Sequence, residues 1–587
     1  VFTPPGGAAD VAPSRRALPG ITVPAEGAAV YVRGGPPDET LIRIDGGEIG
    51  HPYHYERASG GLFSALDAYM LKSAFFSSGG FSAKYGGALS GVLDIETQDP
   101  MNLKTVTVGA NLAGGGVSST WSLVPDRLSL LGSVRLGVPG ILFKLYGSNT
   151  DYESAPRSHD AAGRLLWRYS GTGRAALTYL NSSDASALTA NYLNYEGRYA
   201  DHNRTDFVSL QLQDVLAGKL ALRARVSGQW YDTGWTFGPI AAAQRERNAT
   251  AAFDAVWPLS PRHELSFGAL ARRRDTDLTG TFAADSTDFA PGAPTRSFDT
   301  RPRVDAPGFY VEDKLRLWGP FYATLGSRFD YASTPGTWTG DPRAALAWRV
   351  DQHQTVRLAT GRYHQLARAD YLDPLYGNPR LGPLAAEHVI AGYEWKSEFG
   401  NIRVEGYRKD YRDLVTNDAA TYYANRGHGY ARGVDVFVQG THRWLSGWVS
   451  YGYLDTRRKE YDNPRELPSP YGVKHTLTLV GQYQVSSSWQ LGARYGFSSG
   501  RPYTPVVGRT WDPGRGIWRP VLGENHSALL PEYHRLDLRA TRLFSIPAVW
   551  GLRPSSMCAA YVEGMNVLAI RNVLEYVWNS DYSRRYA

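Results

Sequence analysis

From about Lys104 onward, segments of roughly ten residues alternate apolar with polar or small side chains. In Leu220–Ser227, the residues Leu220, Leu222, Ala224 and Val226 fall on one face and Arg223, Arg225 and Ser227 on the other. Ile402–Glu405 follows the same scheme. In His534–Thr541, Leu536, Leu538 and Ala540 oppose Arg535, Asp537 and Arg539. A period of two marks a β-strand whose faces meet different surroundings. A soluble sandwich alternates too, so the period alone does not choose. The near-continuous succession of such segments, with Arg and Asp opposite the leucines, suits a wall between lipid and a polar lumen better than a packed core. The prediction is a transmembrane antiparallel β-barrel. Leu220, Leu222, Leu536 and Leu538 should face lipid, and Arg223, Arg225, Arg535 and Asp537 the lumen.

Residues 104–587 allow about 22 strands at roughly 22 residues per strand and half its connections. Long polar stretches at 272–305, 365–386, 456–472 and 500–530 read as extracellular loops, and the tight 168–174 and 484–488 links as periplasmic turns. Trp257, Trp318, Trp348, Trp395, Trp444 and Trp489 fall near strand ends, where an amphipathic ring favours the membrane interface. No blade-length repeat supports a propeller.

Residues 1–100 have a different texture, rich in Gly, Ala and Pro. Short strands are predicted at 29–33, 40–45 and 92–97, and a helix at 62–71. Gly34–Gly35, Gly46–Gly47, Gly79–Gly80 and Gly86–Gly87 come in pairs that permit tight turns. None is followed by the lysine and helix of a phosphate-binding loop.

Composition removes several classes. The longest apolar runs fall short of the ~18 residues a membrane helix needs. The single cysteine, Cys558, excludes an intrachain disulfide and Cys-based zinc modules. The net charge of +7 comes from scattered arginines rather than a basic block, which argues against nucleic acid. No Gly-x-Ser-x-Gly elbow or ordered triad is present, so no catalytic residue is expected and the protein is not read as an enzyme. His51 and His54 flank Pro52 without a cysteine partner or helical spacing, so no metal and no cofactor is expected. The chain opens Val1-Phe2-Thr3-Pro4-Pro5 without a signal peptide, as a processed or a cytoplasmic sequence would.

Motifs spread along the chain resemble those of TonB-dependent outer-membrane receptors. In the first hundred residues they are Tyr31–Gly35, Asp38–Gly47 and Gly79–Ile95. Further on come Glu387 with Gly392–Lys396, Ala431–Asp435, Gly500–Pro505, Tyr533–Leu538, Asn566 and Asn572–Val573. The resemblance implies an all-β membrane protein of 22 strands (104–587), occluded by an N-terminal α+β plug (1–100). It implies import of a scarce extracellular solute with energy from TonB, in the outer membrane of a Gram-negative bacterium. Outer-membrane lipid and lipopolysaccharide would surround it. Two departures are expected: the TonB-contacting segment and the last barrel strand have no counterpart. A non-transporting plugged barrel, serving beside a surface lipoprotein or as another assembly subunit, is the alternative.

By the same resemblance, Arg33 of the plug should pair with wall carboxylates at Glu394 and Asp435. A guanidinium fork can hold two carboxylates and still be released. The family's second plug arginine has no match in 72–78. The solute is expected among His51, His54 and Tyr55 on the plug and Tyr371, Tyr376, Tyr503 and Trp511 in the loops.

Overall fold

The structure, a computed structural model, describes residues 20–22, 27–56, 61, 63–141, 152–285, 287–546 and 556–586. Antiparallel neighbours follow one another from Thr105–Asn111 to Ser556–Gly564, and the sheet curves into a barrel. Its ordering holds 24 segments, of which Thr295–Thr300, Arg303–Asp305 and Leu467–Pro468 are short pieces at loop bases. The described residues therefore make 21 crossings, one fewer than the resemblance implies. Val577–Trp578 pairs with Arg585–Tyr586 in a separate hairpin.

The alternation sets the two faces as predicted. On Leu220–Phe237, Val226 and Trp230 are exposed while Arg225, Ser227 and Gln229 are buried. Leu220 and Leu222 share the parity of Val226, and Arg223 that of Arg225. On Tyr533–Ile546, Leu538 is exposed and Asp537, Arg539 and Thr541 are buried. An inverted register would put arginines in hydrocarbon at about 2–4 kcal/mol each near the midplane. All six tryptophans named above lie beside short turns at one end of the barrel, forming one girdle there. Several strands are far longer than the ~10 residues that cross a bilayer. Tyr195–Leu216, for example, has 22 residues. Strand consequently continues through 272–283 and 456–459, where loop was expected.

Within the wall lies a four-stranded sheet, ordered Gly47–Glu48, Thr40–Ile44, Gly91–Thr97 and Leu71–Ser77. Thr40–Ile44 and Gly91–Thr97 run parallel. The helix expected at 62–71 is absent: Phe63–Ser64 is a strand, Ala68–Met70 a single 3-10 turn and Leu71–Ser77 a strand. Asp67 caps that one turn through the Tyr69 amide, and pairing with Gly91–Thr97 then fixes extended backbone. No α-helix is contained whole in the described residues, so the α+β expectation becomes β with 3-10 turns. Residues 1–19 lie outside the described residues.

The lumen is less polar than the alternation suggested. Val32, Ile42, Ile44, Leu93 and Ile95 pack with the wall residues Leu180 and Phe207. Phe81, Leu89 and Val92 pack with Tyr363, Ile390, Tyr407, Tyr411 and Leu454 of the opposite wall. A Cβ on Gly47 would lie 2.7 Å from the Phe207 ring, so glycine there lets the inner sheet approach the wall.

Candidate functional site between the inner sheet and the wall

Val32–Gly35 forms a tight turn closed by the Gly35 amide on the Val32 carbonyl at 3.0 Å. Both central residues are left-handed, Arg33 at φ 49° and Gly34 at φ 77°. Glycine tolerates this, and arginine does so at a cost of order 1 kcal/mol, which the contacts of its side chain offset. The Arg33 guanidinium is buried. It donates from Nε (3.0 Å) and Nη2 (2.8 Å) to Asp435 Oδ2, from Nη2 to Glu405 Oε2 (2.9 Å) and from Nη1 to the Ser78 carbonyl (3.2 Å). Its plane lies 3.7 Å from the Tyr407 ring centre.

Arg33 and Asp435 thus meet, whereas Glu394 is replaced by Glu405. Glu394 points inward but pairs with Arg357 (3.0 Å) and Lys396 (2.8 Å). The register explains this. Gly392, not Glu394, stands opposite Glu405. Glu394 therefore sits one pleat nearer the short turns, too far from Arg33. Glu405 lay in the alternating Ile402–Glu405 segment, but its level is invisible without the register.

Other anchors have the reverse polarity, with the carboxylate on the inner sheet and the arginine on the wall. Buried Arg458 chelates buried Glu39, with Nη2–Oε2 at 2.9 Å, and stacks 4.2 Å from the Tyr411 ring. Arg164 reaches Asp45 at 2.6 Å, and Arg272 reaches Glu48 at 2.6 Å. The glycine-rich 79–91 segment is held chiefly through its backbone. Arg343 donates to the carbonyls of Ser82 (2.6 Å) and Tyr85 (2.7 Å), and Lys409 to that of Ser90 (2.7 Å). Glu312 accepts the Ala83 amide at 2.8 Å. Sequence reading missed these wall residues because each is one charge among many on an alternating strand.

The histidines lie on the far side from Arg33. His54 is buried, with Nε2 2.8 Å from Asp160 and Nδ1 3.1 Å from Asp184, on neighbouring strands. His51 stacks on Tyr231 at 3.6 Å and lies 2.7 Å from Glu56 and 3.4 Å from Glu246. Tyr55 is also buried. These three side chains are turned to the wall and to one another. Burial opposes a charged imidazole, but the carboxylates outweigh it and lift His54 to about 9 and His51 to about 10. Each pKa in the docked state lies above the ordinary 6.5, so the attachment is complete below that value. It is lost as pH rises through about 9. Protease cleavage within 51–64 is expected to increase from pH 6.5 to 9, and His54→Gln to flatten that rise; identical profiles for the two proteins would count against this anchor.

The loop aromatics form separate groups. Tyr371 packs at a tilt against Tyr423 (4.7 Å) and donates to the Tyr461 hydroxyl (3.0 Å). Tyr376 meets Phe298 edge-on at 4.8 Å. Tyr503 lies against Tyr576 (5.3 Å), and exposed Trp511 against Trp518 (5.3 Å). The first group adjoins the inner sheet: Gln365 donates to the Asp38 carbonyl, Arg368 covers Tyr371, and Tyr31 stacks on Tyr471. Among the described residues no group of three His, Cys, Asp or Glu is placed to hold a metal.

A lumen-filling sheet anchored by buried charge inside a long-stranded barrel is a plugged-barrel architecture. Residues 118–547 match the family described as TonB dependent receptor-like, beta-barrel, and the chain belongs to that family. Its fold is shared with the FrpB iron transporter of Neisseria meningitidis (F3-3 variant; 14% identity, TM-score 0.74, covering 97% of this chain and 93% of that one). It is shared also with the ferric-catecholate import receptor Fiu of E. coli K12 (14%, 0.72, 99% and 92%). The siderophore receptor PirA of Acinetobacter baumannii is similar as well (16%, 0.69, 98% and 93%).

Proposed function

We propose that this chain is an outer-membrane importer in which residues 1–100 act as a plug, released when TonB pulls on it. The observation that carries the reading is the double carboxylate grip on buried Arg33. It ties the Val32–Gly35 turn to the wall, and it is polar enough that water entering the gap restores solvation as the pair separates. The solute would rest above the plug on Tyr371, Tyr461, Tyr31 and Tyr471, beside Arg368. Aromatic faces and a guanidinium suit a flat anionic group. The siderophore and iron receptors among the similar structures support a ferric catecholate as the first solute to try.

Accumulation of radiolabelled ferric catecholate by cells carrying the chain, with and without TonB, tests this. TonB-dependent accumulation is the expected result. Binding to the cells without accumulation would overturn import and favour the second reading, a non-transporting plugged barrel in a surface assembly.

A further inference from the structure

We propose that the outer wall from Gln354–Gln365 to Leu445–Lys459 binds the phosphates of a lipid in the outer leaflet. Strand register assembles the site. Arg362, Glu387, Asp410, Tyr430 and Arg457 are successive cross-strand partners and form one row. Arg408, Arg432 and Asp455 form the row on its membrane side, and Arg412, His428 and Lys459 the row on its loop side. These side chains point outward. Their chain neighbours His388, Lys409, Ala431 and Leu454 are buried against the plug side, while Val389 and Val434, two residues from Glu387 and Arg432, are exposed.

The patch carries an excess of positive charge. Arg362, Arg408, Arg412, Arg432, Arg457 and Lys459 stand against Glu387, Asp410 and Asp455. On the outward face of Tyr195–Leu216 to His263–Ala283, Arg204, Arg245, Arg247 and Arg273 are matched by Asp206, Asp232, Asp275 and Asp277. Arg408 and Arg432 face each other directly, a pairing of like charges that destabilises a sheet unless an anion sits between them. Each leans on its own carboxylate, Asp410 or Asp455. Arg457 has no carboxylate partner among the described residues. A cavity of about 130 Å³ beside the patch is lined by Arg362, His364, Glu387, Asp410, Arg412 and Asp413, with Arg362 and Arg412 both on Glu387, so the uncommitted charge lies at Arg457 and Lys459 rather than in the cavity.

The source of the phosphate follows from what borders the patch. Val389 stands beside Arg408 in the same row, and below Arg432 the same outward face continues into Val434. A phosphate carried on acyl chains meets the arginines and the apolar band together, whereas a free phosphate meets only the first. Two or more phosphates on one headgroup would fit the spread of the rows.

Native mass spectrometry of the whole chain in detergent micelles, titrated with bis-phosphorylated lipid A, tests the assignment. The intact lipid should bind, and Arg408→Gln/Arg432→Gln should weaken it at least tenfold. Arg204→Gln/Arg245→Gln, in the matched group, should leave it unchanged. Circular dichroism and heat-shifted gel mobility check that each barrel is folded. Should the double variant not fold, Arg457→Gln is the substitute, expected to weaken binding about threefold. Equal binding of the dephosphorylated lipid, full retention in the variant that folds, or displacement by equimolar inorganic phosphate would each overturn the proposal.

Discussion

Arg33→Ala is expected to loosen the plug while leaving the barrel intact. The guanidinium is the shared partner of Asp435 and Glu405, and it also ties the turn to Ser78. Removing it leaves two carboxylates facing each other across a gap that water enters poorly. Breaking a buried pair in this way costs about 3–5 kcal/mol. The barrel's ladder hydrogen bonds do not involve Arg33, so the penalty falls on docking of the inner sheet. Arg33→Lys should recover little, because a single ammonium cannot reproduce the fork or the stacking on Tyr407. The readout is entry of a small antibiotic that the wild-type envelope excludes, with barrel melting measured alongside. Unchanged exclusion with Arg33→Ala, at equal expression, would make Arg33 only a turn residue.

What the amino-acid pattern made legible was the part set by local alternation. Val226, Leu538, Arg225 and Asp537 have the faces their parity assigns, because a one-residue slip would carry every charge into lipid. Arg33 was legible as an anchor through its motif. Its second partner was not. Glu394 and Glu405 are both inward-facing, and choosing between them requires knowing which residues stand opposite across two strands. The same holds for His54, whose carboxylates come from residues 160 and 184. The segment at 62–71 misled for another reason: Phe63–Ser64 pairs with Tyr53–His54 and Leu71 opens a strand paired with Gly91–Thr97, which leaves room for only one 3-10 turn between them. The loop aromatics were visible as residues, but their division into Tyr371, Tyr376, Tyr503 and Trp511 groups depends on how long loops fold over the barrel mouth.

The Glu39–Arg458 pair should matter as much as Arg33, with the charges exchanged. Glu39 is buried at the foot of the 3-10 turn Pro37–Glu39 and holds more than Arg458. It accepts the Ser90 hydroxyl, and its backbone carbonyl accepts the Leu89 and Ser90 amides, so it couples two stretches of the plug to the wall. Arg458→Met keeps the stem packed on Tyr411 but strands a buried carboxylate, at a cost of about 3–5 kcal/mol. Adding Glu39→Gln should return most of that loss, since a neutral amide still accepts the Ser90 hydroxyl and needs no counter-charge. The measurement is the rate at which protease cuts within 39–91 in the folded protein. Cutting should be fast for Arg458→Met and slow for wild type and for the double variant. A double variant as labile as Arg458→Met would mean that Arg458 acts through its shape and hydrogen bonds rather than its charge.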